Sequence, residues 1–240
     1  MGMPITIAIA DVQFPSDIFE KVFAYFTHVD EKFSTYKTSS EISQINKGAV
    51  LPDAYSEEMR EVFVLSEKTK QETNGYFDIR QADGNYDPSG LVKGWAIQNA
   101  ARLMEANGVK NFYIEAGGDI QVSGKNTDGQ SWRVGIRNPF NEREIIKVLK
   151  LDDCGVATSG TYVRGDHIYN PHAYQEKISD IVSMTVVAAN VYEADRFATA
   201  AFAMGKNGIA FVGTQAGCEG YMVAADGAAM FTDGFSQYVI

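Results

Sequence analysis

The stretch NFYIEAGGDIQVSG, residues 111–124, is where the pattern of the sequence changes from helix to strand. It places two short runs rich in aromatic and β-branched residues on either side of Gly117-Gly118, which is the pattern of two antiparallel strands joined by a tight turn. Comparable runs follow as WRVGIRN at 132–138, IIKVLKL at 145–151 and IVSMTVVAA at 181–189. The second half of the chain is therefore predicted to consist mainly of antiparallel strands.

Before residue 111 the apolar residues recur at the three- and four-residue spacing of amphipathic helices. After a first strand at 3–10, the pattern predicts helices following Pro15-Ser16, near Glu41, and over 56–73, 89–106 and 192–204. Helices concentrate early and strands later, and no repeat or linker interrupts them. The sequence therefore predicts an α+β fold and a single domain spanning the whole chain, 1–240.

The composition argues against several classes of protein. Lys and Arg total 21 against 31 Asp and Glu, so the net charge is −10 and nucleic-acid binding is not expected. Cys154 and Cys218 lack a CxxC spacing, which predicts neither a zinc site nor a disulfide framework. No segment has the length of a membrane span, and the N-terminus lacks a basic region and a lipobox cysteine. A cytoplasmic protein is expected.

The segment DPSGLVKG, residues 87–94, is unusual for the start of a helix. Two glycines and a lysine fall in the first turns, although each interior glycine costs about 1 kcal/mol relative to alanine. Glycine lets a ligand approach the backbone closely, and the helix N-terminus together with Lys93 would favour a phosphate group. In the alternative interpretation, Asp87 or Ser89 merely caps the helix.

Three further segments carry residues suited to chemistry. Asp195 and Thr199 are four apart on a predicted helix, so they share a face and offer the hard oxygen ligands that Mg²⁺ prefers. Asp195 in the first turn would equally complement the helix dipole. NGYFD at 74–78 is also explained by a helix C-cap followed by aromatic packing, and Gly-Gly-Asp at 117–119 by a hairpin turn. A lone His167 is more often structural than catalytic.

Taken in order, these segments resemble the ApbE family, the FAD:protein FMN transferases. Each motif is weak alone, but their joint occurrence in one order is specific. The matching stretches are 33–36, Ser40-Glu41, Asn46, 75–78, 87–94, 116–119, 157–160, His167-Ile168 with Pro171, and Ala194-Asp195 with Thr199-Ala200.

The resemblance implies an enzyme that takes FAD and Mg²⁺ and attaches FMN to a threonine or serine of a target flavoprotein, releasing AMP. It implies that Tyr36, Gly75, Tyr76, Phe77 and Asp78 surround the flavin, with Met1 beside it and Asp87 and Lys93 on the rest of FAD. The implied metal ligands are the Gly90 carbonyl, Asp195 and Thr199. His167 is the candidate general base, and Asp195 also counts as catalytic.

The chain departs from the family pattern at two places. Ala198 stands where the family often has a second acidic residue, and Asn170-Pro171-His172-Ala173 replaces the usual turn after the histidine. Two other functions fit the same motifs. One is a magnesium-dependent FAD pyrophosphatase that gives FMN and AMP, and the other is a non-catalytic FAD-binding protein.

Overall fold

The fold is described from a computed structural model that covers residues 2–160 and 168–240. Its helices match the predicted ones within a few residues, with one short helix added near the C-terminus. They are α1 (Ile18–Phe33), α2 (Glu41–Asn46), α3 (Glu57–Glu72), α4 (Ser89–Ala106), α5 (Val191–Ala203) and α6 (Gly208–Thr214). The strands are β1 (Ile5–Ile9), β2 (Phe112–Ala116), β3 (Asp119–Ser123), β4 (Trp132–Asn138), β5 (Asn141–Leu151), β6 (Gly155–Gly160), β7 (Ile181–Ala188), β8 (Glu219–Ala224) and β9 (Ala229–Phe231).

Seven of the described strands form one antiparallel sheet in the order β1-β2-β3-β6-β7-β8-β9, and β4 pairs with β5 as a separate two-stranded ribbon. The predicted turn between β2 and β3 is a two-residue hairpin connection, because Ala116 pairs with Asp119. Gly117 and Gly118 have φ values of 59° and 93°, which glycine adopts without strain. The α+β prediction is confirmed.

Local signals explain where the helices begin and end. The Ser56 hydroxyl accepts a hydrogen bond from the Met59 amide, and the Asn190 side chain accepts one from the Glu193 amide, so both residues act as N-caps. After α3, Asn74 and Gly75 have φ values of 51° and 81°, the left-handed conformation that ends a helix. Each of these contacts joins residues that lie within a few positions of each other, so the ends of the helices are fixed locally.

The seven-stranded sheet lies between a layer of helices and the β4–β5 ribbon. Met184 and Val186 of β7 face Phe197 and Phe202 of α5 in one buried cluster. On the opposite face, the cluster between sheet and ribbon contains Ile120, Val122, Val134, Ile136, Leu149 and Leu151. A third cluster packs the helices α1, α2, α3 and α4 together with β2. The ribbon therefore covers one face of the sheet, close to the β2–β3 turn.

Helix α5 is held close to the sheet by two contacts at its first residue. The Val191 amide donates to Gln121 Oε1 of β3 at 2.8 Å, and both residues are buried. A Cβ atom on Gly155 of β6 would lie 2.0 Å from the Val191 nitrogen, so only glycine fits there. This anchoring sets the position of Asp195 and Thr199, one and two turns further along α5.

The structure also describes the two cysteines and the apolar character of the helices. Cys154 and Cys218 are both buried free thiols. Among the described residues, no helix combines the length and apolar character needed to cross a bilayer.

Candidate functional site

A cavity of about 650 Å³ opens where the N-terminus of α4, the β2–β3 turn and strand β4 meet. Most of the residues implied by the family resemblance line this cavity. They are Tyr76, Phe77, Asp78, Asp87, Gly90, Lys93, Asp195 and Thr199. Residues that are up to 123 positions apart in sequence are thus brought to one place, by the packing of α4 against α5 and the sheet.

Two of the remaining candidates, Tyr36 and Gly75, do not line the cavity. Tyr36 is 97% exposed and does not line the cavity. Gly75 lies just behind the wall, where a Cβ atom would be 3.3 Å from the His172 ring, so its role is to allow the turn after α3. Met1 and His167 lie outside the described residues.

Oxygen atoms of α4, α5 and β6 cluster at the bottom of the cavity. The Thr199 hydroxyl lies 3.4 Å from the Gly90 carbonyl oxygen and 3.4 Å from the Ser159 hydroxyl. Asp195, which is 2% exposed, lies one turn before Thr199 on the same face of α5. The expected set of Gly90, Asp195 and Thr199 is therefore brought together, and Ser159 joins it.

Gly94 allows the two helices to approach closely enough to form this cluster. Its amide donates to Asp195 Oδ2 at 2.8 Å, and a Cβ atom there would lie 2.7 Å from Asp195 Cβ and 2.8 Å from the Val191 carbonyl oxygen. In a regular helix the amide of residue 94 would bond the carbonyl of Gly90. Because the Gly94 amide donates to Asp195, the Gly90 carbonyl oxygen shares this amide or loses it as a hydrogen-bond donor. This favours the Gly90 carbonyl oxygen as a metal ligand.

Lys93 makes contacts that the sequence does not predict. Its ammonium nitrogen lies 2.6 Å from Asp119 Oδ2 and 3.6 Å from Asp195 Oδ1. Asp119 is fully buried and also accepts a hydrogen bond from the Thr158 amide at 3.1 Å. The expected phosphate-binding lysine is thus paired with two buried carboxylates, and the Gly-Gly-Asp segment provides one of them as well as a turn.

The charge balance of this group affects Asp195. Burial raises the pKa of its carboxyl group, the neighbouring ammonium of Lys93 opposes the rise, and the nearby carboxylate of Asp119 adds to it. When both carboxylates are ionised, they exceed the charge of the one ammonium group, and this excess of negative charge favours the binding of a cation.

Lys93→Met is expected to destabilise the fold by about 3 kcal/mol, because breaking a buried ion pair leaves an uncompensated charge. Thermal and urea unfolding measure the loss. The double variant Lys93→Met/Asp119→Asn is expected to recover part of it, since the charge left behind is then removed as well. A loss in the double variant equal to the sum of the losses in Lys93→Met and Asp119→Asn would contradict the pairing.

The donor set fits a hard divalent cation. Within residues 2–160 and 168–240, no three His, Cys, Asp or Glu side chains come together as a metal-binding group. The cluster instead combines one carboxylate, that of Asp195, with a carbonyl and two hydroxyl groups, all of them oxygen donors. Oxygen ligands suit Mg²⁺ and do not select zinc or copper, which favour nitrogen and sulfur.

Tyr76, Phe77 and Asp78 form one part of the cavity wall together with Tyr169 and Pro171. The ring of His172 packs edge-on against Tyr76, with centroids 4.6 Å apart, and its Nε2 lies 2.9 Å from the Asn74 carbonyl oxygen. The Tyr169 hydroxyl donates to the Asp78 carbonyl at 3.0 Å. The departure at 170–173 thus gives His172 a structural contact with the turn after α3.

Two of the candidate residues also make contacts that stabilise the fold. Asp87 accepts a hydrogen bond from the Ser89 amide at 3.0 Å, so it caps the start of α4 while it lines the cavity. The Asp78 carboxylate is paired with Lys70 at 2.7 Å.

Ala198 is fully buried among the apolar residues of α5 and β7 and does not line the cavity.

Sequence reasoning missed several residues of the site. Asp119 and Ser159 lie in segments that match the family but were not assigned a role. Arg133 and Arg137 of β4 also line the cavity. Their signal is the alternation in WRVGIRN, which places both on one face of a strand, but the strand's position over the cavity cannot be read from that pattern.

Comparison with known proteins shows the family to which the chain belongs. The model of the ApbE family matches residues 1–85 and 80–222. An FAD:protein FMN transferase of Vibrio cholerae is 33% identical over 129 residues, covering 50% of this chain and 39% of that protein. One of Haemophilus influenzae is 25% identical over 251 residues, covering 78% of this chain and 72% of that protein. The chain thus spans about two fifths of the length of the first relative.

Solved structures show the same fold. The flavin transferase ApbE from Vibrio cholerae superposes with a TM-score of 0.85 at 22% identity, covering 99% of this chain and 96% of that one. The ApbE protein from Thermotoga maritima gives a TM-score of 0.87 at 21% identity, with the same coverage. Together with the family model, which matches nearly the whole sequence, these similarities establish that the chain belongs to the ApbE family.

Proposed function

We propose that this chain transfers FMN from FAD to a threonine or serine hydroxyl of a target flavoprotein, in a magnesium-dependent reaction that releases AMP. The observation that carries the proposal is the cluster of Asp195, Thr199 and the Gly90 carbonyl in the wall of a cavity at a helix N-terminus. Membership of the ApbE family supports it, because the relatives are named FAD:protein FMN transferases.

The reaction needs few covalent roles from the protein. The acceptor hydroxyl oxygen forms a bond to the FMN-side phosphorus of FAD, the bond from that phosphorus to the bridging oxygen breaks, and AMP leaves with the electron pair. The acceptor's proton must pass to a base, for which His167 remains the sequence-based prediction. Positioning and charge neutralisation account for most of the catalysis in such phosphoryl transfers.

The residues of the cluster would hold the metal. Asp195, Thr199 and the Gly90 carbonyl supply oxygen ligands, and Ser159 lies within 3.4 Å of the Thr199 hydroxyl. Bound Mg²⁺ supplies positive charge that neutralises the phosphate oxygens of the departing group. Lys93 and Asp119 would act indirectly, since their ion pair sets the charge and position of Asp195.

A cytoplasmic location and a flavoprotein partner with an accessible threonine or serine belong to the same proposal. Hydrolysis of FAD to FMN and AMP would use the same site with water as acceptor, and simple FAD binding would need no metal cluster. No contact in the described residues favours hydrolysis over transfer, so the products must separate them.

Metal removal is expected to abolish the reaction. The protein is incubated with FAD and Mg²⁺, with and without a flavoprotein acceptor, and AMP release is followed together with the mass of the acceptor. The proposal expects AMP together with one FMN phosphoester on the acceptor, no product in EDTA, and recovery when Mg²⁺ is added back. Zinc is the matched control metal, because oxygen donors do not select it.

Each other outcome identifies a different function. AMP and free FMN with an unmodified acceptor would show an FAD pyrophosphatase. FAD that is bound but intact in every tube would show a binding protein. Transfer that continues in EDTA would contradict the role of the oxygen cluster.

A further inference from the structure

Among the described residues, the cavity wall carries four acidic and three basic side chains, although the proposed substrate is an anion. Its acidic wall residues are Asp78, Asp87, Glu115 and Asp195, and its basic ones are Lys93, Arg133 and Arg137. In a protein with a net charge of −10, local cations are needed to hold an anionic ligand. The question is which of the three basic residues can do so.

Lys93 is already committed to other groups. Its ammonium pairs with the buried carboxylate of Asp119 at 2.6 Å and lies 3.6 Å from Asp195. Its positive charge is therefore offset by two carboxylates before any ligand enters. A phosphate group would have to compete with both of them.

The two arginines are in a different position. They lie on β4, where Val134 and Ile136 are buried under the sheet while Arg133 and Arg137 alternate with them and are exposed. Within residues 2–160 and 168–240, neither guanidinium has an ion-pair partner. Both residues line the cavity, so the ribbon contributes to its wall two arginines that have no ion pair among the described side chains.

The face of the ribbon is apolar between the two arginines. Gly135 separates the two arginines, and a Cβ atom there would lie 2.8 Å from the side chain of Ile145, which therefore packs over the glycine. Ile145 is 49% exposed and also lines the cavity. Two arginines flanking an apolar surface suit a nucleotide, which combines anionic phosphates with flat rings. Arginine adds the planar fork of donors that binds phosphate in a bidentate manner.

We propose that Arg133 and Arg137 bind the diphosphate of a dinucleotide from the ribbon side of the cavity, opposite the oxygen cluster. The inference rests on the proposed function for the choice of FAD as ligand. It assigns the phosphate-binding role to β4 and leaves Lys93 with the buried carboxylates. The chemical class recognised is a nucleoside diphosphate.

Equilibrium binding to the metal-free protein in EDTA tests this inference without any reaction. Flavin fluorescence gives the affinity for FAD and for riboflavin, which lacks phosphate, and calorimetry gives the affinity for ADP. The variant Arg133→Gln/Arg137→Gln is compared with Arg143→Gln. Arg143 is an exposed arginine on β5 of the same ribbon that does not line the cavity.

The double variant is expected to bind FAD and ADP about a hundred-fold more weakly, which corresponds to about ten-fold for each charge-assisted contact. Its affinity for riboflavin and its melting temperature are expected to match those of the wild type. The affinity of the wild type for FAD should fall with rising salt concentration, and that dependence should be shallower in the variant. Arg→Lys replacements should recover only part of the affinity, because lysine keeps the charge and loses the fork.

Two results would overturn the inference. One is an FAD affinity of the double variant equal to that of Arg143→Gln. The other is an equal loss for FAD and riboflavin, which would indicate a change in cavity shape. These results are independent of the proposed function. Arginine-dependent FAD binding without transfer to any acceptor would refute the transferase alone, whereas transfer at normal FAD affinity in the double variant would refute the arginine site alone.

Discussion

Asp195→Asn is expected to reduce FMN transfer and FAD cleavage by about 10³-fold or more. The substitution removes the one charge of the oxygen cluster that lies on α5, beside Thr199 and the Gly90 carbonyl. A metal ion supplies several kcal/mol of charge stabilisation in such reactions, and each 1.36 kcal/mol corresponds to about ten-fold in rate. The rate is measured as AMP release and as the mass gained by the acceptor.

The fold is expected to survive this change. The amide oxygen of asparagine can still accept the hydrogen bond that the Gly94 amide donates at 2.8 Å, and Lys93 keeps its pairing with Asp119. A melting temperature close to that of the wild type would show that the loss is functional. In addition, Mg²⁺ should raise the melting temperature of the wild type more than that of the variant, because at a given concentration a ligand stabilises the folded state more when it binds more tightly.

Asp128→Asn is the matched control, because it makes the same chemical change at an exposed turn residue outside the cavity. It is expected to leave transfer and magnesium binding unchanged. An Asp195→Asn protein that transfers FMN at the rate of this control would exclude Asp195 as a metal ligand.

Gly94→Ala is expected to lower both the stability of the fold and its activity. The added methyl group would lie 2.7 Å from Asp195 Cβ and 2.8 Å from the Val191 carbonyl oxygen. Since backbone cannot move aside without shifting α5, overpacking of this kind costs about 1–3 kcal/mol or more. The melting temperature should fall by roughly 2–4 °C for each kcal/mol lost in a chain of this size. Transfer should also fall, because α5 carries Asp195 and Thr199.

Gly213→Ala is the control, and its expected effect on stability has the opposite sign. Gly213 lies in α6, is exposed, and a Cβ atom there would be 3.5 Å from its nearest neighbour, which is ordinary contact. Alanine is favoured over glycine by about 1 kcal/mol inside a helix, so this variant should be slightly more stable. Equal melting temperatures for the two variants would mean that α4 and α5 are not packed as closely at Gly94 as the structure has them.

Local structure was predictable wherever the residues that specify it lie within a few positions of each other in the sequence. The caps at Ser56 and Gly75, the hairpin at Gly117-Gly118 and the apolar spacing of α1 each involve neighbours in sequence, and the structure confirms them. The order of weak motifs along the chain was enough to predict the family. Asp195 and Thr199 were predictable as a pair because a helix places residues four apart on one face.

The partners of each functional group were decided by tertiary structure alone. Lys93 and Asp119 are separated by a helix, a loop and a strand, and nothing in either segment specifies their contact. Tyr36, expected beside the flavin, lies exposed and outside the cavity wall. Arg133 and Arg137 reach the cavity because the β4–β5 ribbon covers one face of the sheet. Such contacts depend on how close two helices can approach, as at Gly94, and on which face a ribbon covers, and the packing of the whole core sets both.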